Sequence, residues 1–130
     1  MPRNFELKGE PIIAFVPTRD AERAREFYRD RLGLPLRSDE LPFALVFDVN
    51  GVMLRVTVVK DLAPAGHTIL GWRVGDIYAA AESLRERGVQ FQRYTGMNQD
   101  DAGVWTAPDG TKLAWFQDPD GNTLSITQFE

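Results

Sequence analysis

Apolar and polar positions along this chain fall into two successive blocks with the same internal order. Ile12-Ile13-Ala14-Phe15-Val16-Pro17 is a β-branched and aromatic run that predicts a buried strand closed by its proline. Thr18 or Asp20 then caps a helix with small or apolar positions at Ala21, Ala24, Phe27, Tyr28 and Leu32, and Gly33 and Pro35 stop it. Residues 34–41 predict a short edge strand, and residues 43–49 and 52–59 a hairpin about Asn50-Gly51. That dipeptide tolerates the positive φ values a two-residue turn demands. After a connection carrying Pro64 and Gly66, the order returns. Residues 69–74 predict a strand, Asp76 caps a helix reaching Arg87 and ended by Gly88, and residues 89–94 predict a strand. Residues 112–117 and 123–129 predict a hairpin about Asp120-Gly121, and the polar stretch 95–103 predicts a loop near the mouth of any cleft.

A β-α-β-β-β order given twice predicts an α+β fold of two tandem βαβββ modules, about 11–60 and about 68–130, in a single domain. Their strands are expected to form a curved mixed-sheet cup, with the two helices on its outer face. The seam between paired copies is a natural place for a site.

Composition narrows the classes. At 130 residues, with 43% hydrophobic and 26% charged residues, the chain suits one soluble globular domain. A net charge of −4 argues against nucleic-acid binding, because the basic residues interleave with acids, as in Glu22-Arg23-Ala24-Arg25-Glu26, and form no stripe. Cysteine is absent, which excludes disulfides, thiolate metal sites and cysteine nucleophiles. No apolar run approaches the roughly 20 residues of a membrane span, and residues 1–11 lack the apolar core of a signal peptide. A cytoplasmic location without membrane association is the expectation.

Two segments carry a family resemblance. Pro17-Thr18-Arg19-Asp20, then Phe27-Tyr28 and Leu32-Gly33-Leu34, resembles the opening unit of the vicinal oxygen chelate superfamily: glyoxalase I, bleomycin-resistance proteins and extradiol dioxygenases. Trp115-Phe116-Gln117-Asp118-Pro119-Asp120-Gly121-Asn122, with Leu124 and Gln128, resembles its closing hairpin. The resemblance implies a substrate-holding cup, association into homodimers, and in many members a divalent metal held by His, Glu or Gln on inward strand positions. It carries those positions onto Ile13, Arg55, Ile69 and Ser125. Isoleucine offers no donor, serine a weak one, and a guanidinium has no lone pair to give. No metal or other cofactor is therefore expected. His67, the single histidine, is the one alternative metal ligand, through a two-residue change of register. Asp118 and Asp120 read as turn-forming rather than catalytic.

Strand alternation places Arg55 and Thr57, Arg73 with Ile69, and Ser125 with Thr127 on the cup face. Ile13 and Phe15 add apolar surface, and Trp72, Trp105, Trp115 and Tyr94 are available as ring faces. Either arginine can alternatively pair with an acid such as Asp48. The leading expectation is a metal-free protein binding a small anionic or polar-aromatic molecule, because guanidinium forks match carboxylate and phosphate oxygens. Two readings stand beside it: a metal-dependent lyase, isomerase or dioxygenase centred on His67, and an interaction module whose cup is filled by side chains.

Overall fold

Asp20 and Asp76 start the two helices in the same manner. Each has extended backbone, and its carboxylate accepts from first-turn amides: Arg23 N at 3.2 Å for Asp20, and Tyr78 N and Ala79 N at 3.1 Å for Asp76. Such caps are worth about 1 kcal/mol each. Thr18 does not cap; its hydroxyl is committed elsewhere. The computed structural model describes residues 5–130. Its first module comprises β1 (Ile13–Thr18), α1 (Ala21–Arg25), β2 (Leu36–Glu40), β3 (Ala44–Val49) and β4 (Val52–Val58). The second comprises β5 (Thr68–Arg73), α2 (Ile77–Glu86), β6 (Trp105–Thr106), β7 (Lys112–Gln117) and β8 (Thr123–Gln128).

Each module makes one four-stranded mixed sheet, in the order β1-β4-β3-β2 and β5-β8-β7-β6. In both, the first strand runs parallel to the last, and the hairpin pair is antiparallel. Asn50 and Gly51, with φ of 49° and 87°, supply the left-handed turn between β3 and β4. The sheets adjoin where β1 and β5 touch. One face of each sheet packs beneath its helix. Val16, Leu45, Phe47, Leu54 and Val56 from the first sheet join Ala114, Phe116, Leu124 and Ile126 from the second in one continuous core with Ala24, Phe27, Tyr28, Ile77 and Ala81. Neither α1 nor α2 lies on the opposite face of its sheet.

The helices differ in length. After Arg25 the first continues as a π-helical stretch, Glu26–Arg31, before Gly33 ends it at φ 76°. Leu34 N donates to Tyr28 O, and Val89 N donates to Leu84 O, both at 3.0 Å. These equivalent closing bonds show that the first module holds one extra residue here, which the wider π turn absorbs.

Residues 89–94 do not form the expected strand. Phe91 makes an isolated bridge to Phe116, and the next strand is the two-residue β6 further along the same edge of β7. Gln99 accounts for this. Its side-chain carbonyl accepts from Tyr94 N at 2.8 Å, while its amide donates to Gln92 O and Gly103 O at 2.9 Å. A side chain thus takes the backbone groups that a ladder would have used.

The closing turn locks the modules together. Asp118 accepts from Tyr28 Oη at 2.6 Å, from Asn122 Nδ2 at 2.8 Å, and from the backbone amides of Asp120 and Asn122. Asp120 accepts from Thr18 Oγ1 and from Arg19 N, and Asn122 Nδ2 also donates to Pro17 O at 2.9 Å. Thr18, Tyr28, Asp118, Asp120 and Asn122 are all buried. Burial, and then the Asp118 carboxylate beside it, pushes the Tyr28 phenol far above its ordinary pKa. Asp118 and Asp120 are bracing groups, as the sequence suggests.

Candidate functional site

The helix-free faces gather most of the expected site residues. Cross-strand pairing sets Phe15 opposite Arg55 and Pro17 opposite Thr57, with Ile13 opposite Met53, so these six share one face of the first sheet. On the second sheet, Gly71 lies opposite Ser125, Arg73 opposite Thr127, and Trp115 on the other side of Ser125. Trp105, paired with Leu113, extends this face. Arg55, Thr57, Arg73, Ser125, Ile13, Trp105 and Trp115 therefore all stand on open faces. Ile69 does not join them. A bulge between Thr68 and Leu70 inserts it as an extra residue, and it packs against the hydrophobic core. The alternation that grouped Ile69 with Arg73 is broken there.

Close backbone approach shapes the second face. A Cβ at Gly71 would stand 2.8 Å from Ser125 Oγ and 3.3 Å from Ser125 O. Only glycine leaves that serine hydroxyl room.

The arginines are engaged. Arg55 pairs with Glu40 at 3.1 Å, rather than with Asp48. The Arg73 guanidinium lies 5.3 Å from the Phe129 ring centroid, within cation–π range. Thr57 Oγ1 is buried without a hydrogen-bond partner, alone in this among the described residues.

The second face also carries a run of rings. Trp115 meets Tyr94 edge-to-face at 5.6 Å and Trp105 at 6.3 Å. Beside them is a hollow of about 250 Å³ lined by His67, Thr68, Tyr94, Met97, Trp115 and Thr123. His67 lies exposed on its rim, with Nδ1 3.1 Å from Thr68 O. Sequence reasoning missed Met97 and Thr123 as neighbours of this hollow. Thr123 was legible, two residues from Ser125 and thus on the same face. Met97, in an irregular loop, carried no such signal. Trp72 turns the other way and stacks on Phe116 within the core, at 6.3 Å and 19°.

Among the described residues, no group of three His, Cys, Asp or Glu side chains is placed to hold a metal ion. No described helix is long and apolar enough to cross a membrane.

Paired βαβββ modules, each with its helix on one side and an open sheet face on the other, define the class of protein. The sequence model of the Glyoxalase/Bleomycin resistance protein/Dioxygenase superfamily matches residues 12–126, and the chain belongs to that superfamily. An uncharacterised Bacillus subtilis protein, YraH, is 28% identical over 123 aligned positions, covering 82% of this chain and 88% of YraH. Among solved structures, TnmS3, an antibiotic binding protein from Streptomyces sp. CB03234, matches with a TM-score of 0.68 at 24% identity, over 93% of this chain and 96% of its own. Lactoylglutathione lyase from Agrobacterium tumefaciens matches with a TM-score of 0.67 at 16% identity, over 92% and 93% of the two chains. These structural likenesses show the fold.

Proposed function

We propose that this chain binds a small polar-aromatic molecule on its open sheet faces without a metal ion. The observation that carries the reading is the ring row Tyr94, Trp115 and Trp105 beside a hollow whose other walls are hydroxyl, imidazole and thioether groups. Aromatic pairs of this kind contribute about 0.5–1.5 kcal/mol beyond area burial. Hydroxyls of Thr68 and Thr123 offer hydrogen bonds to a ring substituent. Thr57 Oγ1, buried and unpaired, has capacity for one more on the first sheet.

The donor chemistry supports a metal-free site. Ile13, Arg55 and Ser125 occupy three of the places where metal-dependent relatives are expected to hold ligands, and Ile69 has left the row. Because Glu40 already neutralises Arg55, the polar-aromatic ligand is favoured over a simple anion.

We further infer that a second copy of the chain covers the first sheet's open face. Ile13, Phe15 and Met53 share it at 47%, 61% and 42% exposure. A contiguous apolar patch of this kind marks an association surface. TnmS3, described as an antibiotic binding protein, supports a binding role by analogy of fold.

Titration calorimetry with aromatic acids and their matching amides tests the binding reading. Acids and amides should both bind saturably, and Trp115→Ala should weaken both about tenfold, equivalent to 1.4 kcal/mol. Failure of every aromatic probe, or binding indifferent to Trp115→Ala, would contradict it.

A further inference from the structure

The two modules are built alike, so each serves as a control for the other, and one difference between them leaves an opening. In the first module, Val16 pairs with Val56 and Phe47 with Leu54. In the second, the corresponding pairs are Trp72 with Ile126 and Phe116 with Leu124. The first helix buries Phe27 and Tyr28, at 7% and 1% exposure; Tyr28 packs 6.0 Å from Phe47 of its own sheet, and Phe27 lies 6.4 Å from Phe116 of the other. The matched closing bonds of the two helices make Leu84 the counterpart of Tyr28, and hence Ser83 that of Phe27. Two aromatic rings are replaced by a hydroxymethyl group and an aliphatic chain. Ser83 is exposed and Leu84 half-buried.

A crevice of about 340 Å³ lies there, on the helical side and so apart from the open-face hollow. Its floor is the stacked Trp72–Phe116 pair with Ile126. Leu32 and Leu34 form one wall, and Ala80 and Leu84 the other. Ser83 is the polar helix residue of its lining; Arg73 borders it at the end of β5, with its guanidinium drawn over Phe129 toward the open face. Ordered water needs two to four polar partners, which this lining hardly supplies, whereas apolar hollows accept small apolar molecules. The volume falls at the lower end of the range for ligand sites.

We propose that this crevice is a second binding site, taking a small, mostly apolar molecule with a flat ring that lies on Trp72 and Leu84 and directs one polar atom toward Ser83. It is independent of the open-face site. The alternative is a packing defect that binds nothing. Indole is the probe: a flat apolar bicycle with a single N–H donor. In the full chain, titrated indole should shift the methyl resonances of Leu32, Leu34 and Leu84 saturably. Ser83→Phe, which restores the first module's residue, should weaken that binding at least tenfold while the protein keeps its fold by circular dichroism. Should this variant fold poorly, the methyl map of the unaltered protein decides alone. Shifts confined to Met97 and Met53 would put indole on the open faces and overturn the proposal. So would leucine shifts that never saturate, or saturable binding unaffected by a folded Ser83→Phe.

Discussion

Tyr28 carries a hydroxyl into the core of the first module and has a single purpose for it, donation to Asp118 across the module boundary. That carboxylate receives four hydrogen bonds, from Tyr28, Asp120 N, Asn122 N and Asn122 Nδ2. Removing it strands buried donors, each at about 1–3 kcal/mol. Asp118→Ala should lower the unfolding free energy by about 3 kcal/mol in a urea titration, whereas a catalytic aspartate would leave stability nearly unchanged. Tyr28 also sets an alkaline limit. Its folded pKa is raised by burial and then by Asp118, so its contribution is complete below the unfolded value of about 10 and falls as pH rises beyond it. Between the two values stability should fall by about 1.4 kcal/mol per pH unit. Unfolding measured at several pH values above 10 should show that slope in the native chain and a slope smaller by this amount in Tyr28→Phe.

Secondary elements were legible wherever local chemistry decided them. Asp20, Asp76, Gly33, Gly88 and Asn50-Gly51 marked helix ends and a turn by their own conformational preferences, and the structure has them there. Elements decided by distant groups were not legible. Residues 89–94 have strand-like composition, yet Gln99, several residues later, takes the backbone partners of Gln92 and Tyr94. The bulge at Ile69 and the π-helical stretch after Arg25 likewise answer to pairing and length, which periodicity does not encode. Gln99→Ala should release the 95–104 loop. Hydrogen exchange at the Tyr94 amide should rise roughly 10- to 100-fold, the equivalent of 1.4–2.8 kcal/mol, with little change at Leu54 or Leu124. Unchanged exchange at Tyr94 would show that the loop is held by other contacts.

At the scale of the whole molecule, the duplicated order foretold the architecture, since a unit repeated at this length must bury its sheets against its own helices. Seven of the eight expected binding residues stand on the open faces; for Arg55, Thr57, Arg73 and Ser125 this is a period of two that survives wherever a strand is regular, whereas Trp105 lies in a short strand the sequence did not indicate. The pairing of Arg55 with Glu40 was beyond reach, because it depends on how β2 lies against β3 and β3 against β4. The proposed partner copy would cover the exposed apolar surface of Ile13, Phe15 and Met53. Sedimentation equilibrium should find a dimer that Phe15→Glu converts to monomer, and a native monomer at high protein concentration would contradict this. The open faces are proposed to hold their ligand without a metal ion. After exhaustive chelation, thermal melting with and without Mn²⁺, Ni²⁺, Zn²⁺ and Fe²⁺, each alone and with an aromatic ligand at 100 times its Kd, tests it directly. The ligand alone should add about 2.7 kcal/mol by mass action, unaltered by any ion. A stoichiometric ion that raises the melting temperature itself, or without which the ligand has no effect, would contradict the account.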